Sequence, residues 1–189
     1  GERVILNCIQ RMSGIATQAH EAVKLTAGTN AHVCDTRKTI PGLRMLDKYA
    51  VRAGGAFNHR SGLYDAIMLK DNHIAFAGSI TKAVESARSK IGHTVKIEVE
   101  IETKEQLIEA VNAGADIIAT DATNRPRPKE SLEEIINYIK SKNKLAMADI
   151  STFEEGVKAR ELGFDIISTT LSGYTKHSRQ DLKMPDFEL

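Results

Sequence analysis

Short apolar runs alternate along the chain with amphipathic segments. Apolar residues at helical spacing from Val4 to Met12 predict a helix at the start of the chain, and a similar stripe predicts another over 131–140. Six apolar runs are typical of buried strands: residues 31–36, 66–70, 94–100, 116–121, 144–149 and 165–170. Alternating strands and helices predict an α/β fold, in which helices cover a parallel sheet.

An internal repeat narrows this fold prediction. Residues 101–120 align with residues 150–169 at a spacing of 49, and nine of the 20 aligned positions are identical. In each copy a threonine is expected to cap a helix and a glycine to end it: Thr103 with Gly114, and Thr152 with Gly163. Repeated βα units favour a (β/α) TIM-like barrel with parallel strands, formed by residues 1–189 as one domain. With about six strands predicted, we expect that barrel to be incomplete.

Composition and charge exclude several classes of protein. The 189 residues carry a formal net charge of +1, which gives no reason to expect nucleic-acid binding or an anionic membrane. No apolar stretch approaches the roughly 18 residues of a membrane-spanning helix, and the start lacks the features of a signal peptide, so we expect a cytoplasmic protein. The two cysteines form neither a disulfide framework nor a zinc-ligand spacing. Because the helical pattern begins directly after Gly1, we expect a fragment or an engineered chain.

Basic residues concentrate between positions 37 and 73, where seven Lys and Arg face three acids. Five basic side chains flank the ends of the first two predicted strands: Arg37, Lys38, His59, Arg60 and Lys70. Strand ends carry the active site of a barrel, so we expect these five to converge at its mouth and bind a ligand with several negative charges. The alternative is a solvated basic face, which is the simpler interpretation of Arg44, Lys48 and Arg52 on the next predicted helix.

Acidic residues follow the later strands. Four carboxylates lie near strand ends: Glu98, Glu100, Asp121 and Asp149. Carboxylates that point into a barrel mouth need a cation, and Mg²⁺ held by one or two carboxylates and substrate phosphates is one candidate. Structural pairing with Lys70 or Lys96 is the other. Together the basic and acidic residues indicate phosphoribosyl or sugar-phosphate chemistry.

Residues 2–118 contain the segments ERVILNCIQRMSGIA, CDTRKT, NHR, LKDNH and VKIEVE. Through these segments the chain resembles the family of quinolinate phosphoribosyltransferases, also called carboxylating nicotinate-nucleotide pyrophosphorylases. The resemblance implies transfer of a phosphoribosyl group from phosphoribosyl pyrophosphate to quinolinate, with Mg²⁺ and with decarboxylation to nicotinate mononucleotide, in NAD synthesis. It also implies small anionic substrates, no nucleic acid or membrane as partner, and a homodimer or higher homo-oligomer. We expect the family's N-terminal sandwich domain to be absent from this chain, and therefore Ile5, Ile9 and Met12 to be exposed and to promote self-association.

The same resemblance assigns roles to individual residues. Arg3 corresponds to an arginine that reaches the partner subunit's site. Quinolinate carboxylates are expected to bind to Arg37, His59 and Arg60, with Lys70 also contacting substrate. The expected catalytic residues are Lys38, Lys70, Glu100 and Asp121, and Glu100 and Asp121 are also the expected Mg²⁺ ligands.

From about residue 116 the chain resembles a second barrel family, the N-acetylmannosamine-6-phosphate 2-epimerases, through ADISTFEEG and STTLSGYT. We therefore expect a chimera, transferase-like over 1–116 and epimerase-like over 117–189. Its phosphate-binding residues are expected to be Ser151, Thr169, Thr170 and His177. Three hypotheses stay open: a transferase, a chimeric scaffold without turnover, and an epimerase, whose activity we expect to be lost.

Overall fold

The structure is a computed structural model that describes residues 1–127 and 130–178. The chain forms two compact units, the first from Gly1 to Asp65 and the second starting at Ala66. The resemblances divide the chain by sequence at residue 116, whereas packing divides it at residue 65. The single barrel domain expected for residues 1–189 stays a prediction.

The first unit is built on two helices, α1 (Glu2–Leu25) and α2 (Arg44–Ala53). They approach closely at Gly54, where a Cβ atom would lie 2.4 Å from the carbonyl oxygen of Ala16. Only glycine fits this contact without moving one of the helices. The predicted helix at the start of the chain is therefore confirmed, and it extends well beyond the residues that predicted it.

One face of α1 remains exposed and apolar. Ile5 and Ile9 are 60% and 50% exposed, as predicted, whereas Met12 is partly buried. Elsewhere α1 is tied to α2, because Arg11 donates two hydrogen bonds of 2.8 Å to the carboxylate of Asp47. The helix is thus held at its middle and leaves its first turns uncovered.

The strand predicted at residues 31–36 is wrong. Cys34 forms only an isolated parallel bridge with Phe57. Two backbone hydrogen bonds support the bridge, from Phe57 to Val33 and from Asp35 to Phe57. The chain then turns, with the amide of Thr39 bonded to the carbonyl oxygen of Arg37, so no ladder can extend.

The second unit contains a five-stranded parallel sheet, one strand fewer than the six predicted. The strands are β1 (Ile67–Leu69), β2 (Ile97–Ile101), β3 (Ile117–Asp121), β4 (Leu145–Asp149) and β5 (Ile166–Ser168), and their order in the sheet follows the sequence. The helices between them are α3 (Asp71–Ala77), α4 (Ile80–Arg88), α5 (Lys104–Asn112), α6 (Leu132–Ser141) and α7 (Phe153–Leu162). The α/β class is confirmed. Within the described residues, no helix has both the length and the apolar character needed to cross a membrane.

The two faces of this sheet carry different residues. Along β2, Ile97, Val99 and Ile101 are buried in the hydrophobic core, while Glu98 and Glu100 alternate with them and lie on the opposite face. The core continues through the other strands and the helices, with Leu69, Leu107, Ile118, Ile136, Ala148 and Phe164 among its members. Side chains at the strand ends of the opposite face therefore do not belong to this core and can interact with polar groups.

Both copies of the repeat begin their helix with a capping box. Thr103 accepts a hydrogen bond from the amide of Gln106, and Thr152 accepts one from the amide of Glu155, as predicted for helix caps. Each helix is followed by a glycine in the left-handed region: Gly114 (φ 90°) and Gly163 (φ 96°).

Candidate active site

Two segments that carry predicted site residues lie side by side in the first unit. Because Cys34 and Phe57 pair in parallel, the residues that follow them leave the bridge at the same end. Asp35 joins the segments further, since its carboxylate accepts hydrogen bonds from Asn58 Nδ2 at 2.7 Å and from the amide of His59 at 2.8 Å. The segments following this junction carry four of the predicted residues: Arg37, Lys38, His59 and Arg60.

Lys48 anchors this junction from α2. Its Nζ atom donates to Asp35 Oδ1 at 2.7 Å and to the carbonyl oxygen of His59 at 3.2 Å. Lys48 is only 5% exposed, so its interpretation as part of a solvated helix face is wrong. A signal for this role was present in the sequence, because Asp35 lies within an apolar run and a carboxylate there needs a cation.

The other two basic residues of α2 also contact residues elsewhere in the first unit. Arg44 donates to Thr39 Oγ1 at 3.1 Å and to the carbonyl oxygen of Ser61 at 3.4 Å. The guanidinium carbon of Arg52 lies 5.9 Å from the centre of the Phe57 ring. These contacts give α2 a structural role beside the junction.

The charge state of His59 differs from that of its neighbours. Burial lowers the pKa of His59, and the positive charges of Arg60 and Lys48 lower it further. The imidazole is therefore neutral at pH 7, where it can serve as a hydrogen-bond donor or acceptor. Arg37 is half-buried, and Lys38 and Arg3 are exposed, with Arg3 on α1.

Lys70 and Glu100 form an ion pair in the second unit, at the carboxyl ends of β1 and β2. The register that pairs Leu69 with Val99 brings the next residues of the two strands together. Structural pairing of Glu100 with Lys70 was one of the two predicted alternatives, and the structure contains it. Both side chains are partly exposed, so the pair remains accessible to a ligand.

Asp121, at the end of β3, lies within a ring of donors from its own loop. Its Oδ1 atom accepts hydrogen bonds from the amide and the hydroxyl of Thr123, at 2.8 and 2.6 Å. Its Oδ2 atom lies 2.8 Å from Arg125 Nε. Arg127 donates to the backbone oxygens of Asp121 and Thr123, and burial lowers the pKa of Arg127. Sequence reasoning gave no role to Thr123 or Arg127, although an Arg-Pro-Arg segment four residues after Asp121 was a visible signal.

The two predicted Mg²⁺ ligands, Glu100 and Asp121, lie on neighbouring strands of the sheet. Both project from the face opposite the core, and Glu100 pairs with Ala119, two residues before Asp121. Their Cα atoms are therefore roughly 8 Å apart. Within residues 1–127 and 130–178, no group of three or more His, Cys, Asp or Glu could hold a metal. Mg²⁺ in phosphate sites needs only one or two carboxylates, and its binding by this pair stays a prediction.

The predicted phosphate-binding residues have different surroundings. Ser151 donates from both its amide and its hydroxyl to Glu155 Oε2, each at 2.8 Å. Thr170 donates to Asp149 Oδ1 at 2.7 Å. Thr169 and His177 are exposed. A phosphate at Ser151 or Thr170 would have to replace an internal carboxylate, and phosphate binding by these four residues stays a prediction.

A cavity of about 420 Å³ opens at the carboxyl ends of β3 and β4. It is lined by the loop after β3, by the first turns of α7 and by His177. Lys158 and Glu154 bring opposite charges to its wall. The cavity thus adjoins the loop that holds Asp121.

Comparisons with known proteins agree over most of the chain. Residues 15–184 match the family described as quinolinate phosphoribosyl transferase, C-terminal domain. A probable nicotinate-nucleotide pyrophosphorylase (carboxylating) of Bacillus subtilis is 65% identical over 121 residues, which cover 64% of this chain and 42% of that protein. The protein of the same description from Synechocystis is 40% identical over 187 residues, covering 97% of this chain and 62% of that protein. The crystal structure of NadC from Streptococcus pyogenes is similar with a TM-score of 0.66 and 39% identity, covering 93% of this chain and 59% of that chain.

An epimerase structure is also similar, but less so. The N-acetylmannosamine-6-phosphate 2-epimerase from Clostridium perfringens has a TM-score of 0.50 and 30% identity, covering 82% of this chain and 66% of that chain. The chain spans about half the length of the curated relatives it matches, 42% and 62% of the two named above.

Proposed function

Because the chain belongs to the family of the quinolinate phosphoribosyltransferase C-terminal domain, we propose that it carries the catalytic groups of a carboxylating nicotinate-nucleotide pyrophosphorylase. The reaction joins the ring nitrogen of quinolinate to the ribose carbon of phosphoribosyl pyrophosphate, releases pyrophosphate, and loses one carboxyl group as CO₂. The observation that carries this proposal is the junction at Asp35, which holds the segments with Arg37 and His59 side by side.

The first unit supplies the groups for quinolinate. Arg37 and Arg60 each offer a planar set of donors that matches a carboxylate by two parallel hydrogen bonds. His59, kept neutral by its surroundings, adds a hydrogen bond without a further charge. Lys38 is exposed and contributes a point charge to the same segment. Two carboxylates on one aromatic ring suit this concentration of donors.

The second unit supplies the groups for the phosphoribosyl donor. Charge develops on pyrophosphate as it leaves, so cations fixed beside it stabilise the transition state more than the ground state. Lys70 provides such a cation, and Glu100 and Asp121 provide carboxylates for the ribose hydroxyls. Mg²⁺, when bound by those two carboxylates together with phosphate oxygens, supplies neutralising charge to the pyrophosphate.

We also propose that the sheet is the arc of a (β/α) barrel. All four strand pairings are parallel and the spatial order follows the sequence, as around a barrel. An open doubly wound sheet would reverse its strand order at one point. We expect this domain to act in the cytoplasm as a homodimer or higher homo-oligomer. The exposed face of α1, with Ile5, Ile9 and Arg3, supports that assembly.

A chimeric scaffold without turnover is the second candidate, and two observations favour it. The high identity to the Bacillus subtilis relative extends over 121 residues, close to the length of the transferase-like part. Ser151 and Thr170, where phosphate binding is predicted, donate instead to carboxylates. Under this proposal, residues 117–189 derive from an epimerase-like barrel and leave the donor site unable to hold phosphate.

The decisive experiment measures quinolinate-dependent release of pyrophosphate from phosphoribosyl pyrophosphate and Mg²⁺. We expect Arg37→Ala to reduce the rate about a hundredfold, because it loses charge-assisted hydrogen bonds to a carboxylate. Arg160→Ala, which removes an exposed arginine of α7, is the matched control and should not change the rate. Chelation of Mg²⁺ should abolish release.

Two results would argue against the transferase. An unmodified chain no faster than Arg37→Ala would reject turnover. Calorimetry with quinolinate alone then separates the remaining possibilities, since binding that Arg37→Ala abolishes supports the scaffold. Epimerisation of N-acetylmannosamine-6-phosphate would support the epimerase hypothesis instead, and we expect none.

A further inference from the structure

The two copies of the internal repeat differ at one matched position in a way that affects the candidate site. Gln106 and Glu155 occupy equivalent places, 49 residues apart. Gln106 Oε1 accepts hydrogen bonds from the amides of Glu102 at 2.7 Å and Thr103 at 3.3 Å, both local to the cap of α5. Glu155 Oε2 repeats this pattern in α7, accepting from the amides of Ser151 at 2.8 Å and Thr152 at 3.1 Å.

Glu155 makes one further contact, which leads out of its own repeat. Its Oε1 atom accepts a hydrogen bond of 2.6 Å from the amide of Asn124, 31 residues earlier in the chain. Glu155 is 6% exposed, whereas Asn124 is exposed. A second carboxylate oxygen thus ties the start of α7 to the loop after β3.

That loop is the one that holds Asp121. Thr123, directly before Asn124, donates its amide and hydroxyl to Asp121 Oδ1. Glu155 is therefore linked to the carboxylate of Asp121 by two sets of hydrogen bonds, which the peptide bond between Thr123 and Asn124 connects. The segment after β5 joins the same network, because Thr175 Oγ1 donates to Ser151 Oγ at 2.7 Å.

We infer that Glu155 is a positioning residue, which fixes the loop after β3 so that Asp121 is held ready for a metal–phosphate ligand. The ligand part of this inference rests on the proposed function, whereas the ordering of Asp121 does not. Without the bond to Asn124, the loop has more conformations, and a ligand must pay the entropy of ordering it on binding. Mutation of a residue that orients a metal ligand through hydrogen bonds typically lowers metal affinity by about 10–100-fold.

Glu155→Gln tests this inference with little disturbance to the fold. The amide oxygen of glutamine can take the place of Oε2, as Gln106 shows in α5 of the same chain. The NH₂ group then faces the amide of Asn124 and cannot accept its hydrogen bond. The reciprocal change, Gln106→Glu, is the matched control. It alters the same kind of cap on α5, a helix that makes no hydrogen bond to the loop of Asp121 among the residues that the structure describes.

Hydrogen exchange and NMR measure the ordering directly. In the unmodified chain, the amide of Asn124 should be protected from exchange, and fast exchange there would overturn the inference without any variant. Glu155→Gln should accelerate exchange at Asn124 and Thr123 and shift the carboxyl carbon resonance of Asp121 at fixed pH. Gln106→Glu should change none of these, and an unchanged Asp121 resonance in Glu155→Gln would overturn the inference.

Calorimetry with phosphoribosyl pyrophosphate and Mg²⁺ measures the consequence for binding. We expect Glu155→Gln to weaken this binding by about 10–100-fold. Binding of quinolinate alone and the thermal midpoint should match those of Gln106→Glu. Equal affinity in Glu155→Gln and the unmodified chain would overturn the ligand part of the inference. If the unmodified chain does not bind the donor, the proposed function fails, and the NMR result decides the positioning role alone.

Discussion

Removing the charge of Lys48 is expected to destabilise the first unit strongly. The side chains of Lys48 and Asp35 are only 6% and 11% exposed, so Lys48→Met leaves an enclosed carboxylate without its cation. Breaking a buried ion pair by deleting one partner costs about 3–5 kcal/mol. Asp35 keeps the donors of Asn58 and His59, so the expected loss is about 3 kcal/mol, or roughly a hundredfold in the folding equilibrium.

Urea unfolding followed by circular dichroism measures this loss. Lys24→Met is the control, because Lys24 and Glu21 form an ion pair with side chains 57% and 59% exposed, and its removal should cost less than about 0.5 kcal/mol. Adding Asp35→Asn to Lys48→Met should restore about 1 kcal/mol or more, since the unpaired charge is gone. A loss below about 1 kcal/mol in the single variant would refute the assignment of an enclosed, stabilising pair.

Two further outcomes concern the first unit. Because the folded state lowers the pKa of His59, its NMR titration should fall below the ordinary value of about 6.5, and Arg60→Gln should raise the midpoint. Neutral His59 contributes fully to the free energy of unfolding above the ordinary pKa. This contribution declines as the pH falls from the ordinary pKa through the lowered one. A free energy of unfolding that does not change across this pH range would contradict the assignment. Gly54→Ala should cost about 1–3 kcal/mol by separating α1 from α2. Gly14→Ala, which meets no atom within 4 Å, should instead stabilise α1 by about 0.5–1 kcal/mol, and equal effects of the two changes would argue against the close approach.

Most of the second unit followed from local patterns. The predicted strand at 116–121 corresponds to β3, at Ile117–Asp121, and the predicted strand at 144–149 corresponds to β4, at Leu145–Asp149. These runs are apolar, β-branched or small, and bounded by caps and glycines, so neighbouring residues alone define them. The run at 31–36 lacked such support. Its extended backbone finds a partner at one residue only, and the identity of a partner is not encoded locally.

The residues of the candidate site also fall into those that local sequence predicts and those that it does not. Lys70, Glu100 and Asp121 could be placed because strand ends are predictable and parallel strands end at one edge. Lys48 and Glu155 were missed as organising residues because their partners lie 13 and 31 residues away, at Asp35 and Asn124. A helix pattern indicates that such a residue is polar, but not which distant backbone it will meet.

Alternation along β2 has an evolutionary consequence. Val99 lies in the hydrophobic core while its neighbour Glu100 pairs with Lys70 at the strand end, and the two side chains point in opposite directions. Selection can therefore remodel catalysis at every other position of a strand while foldability, carried by the intervening positions, is preserved. Because the two sets of positions can change separately, proteins with this architecture can acquire new reactions while keeping their fold.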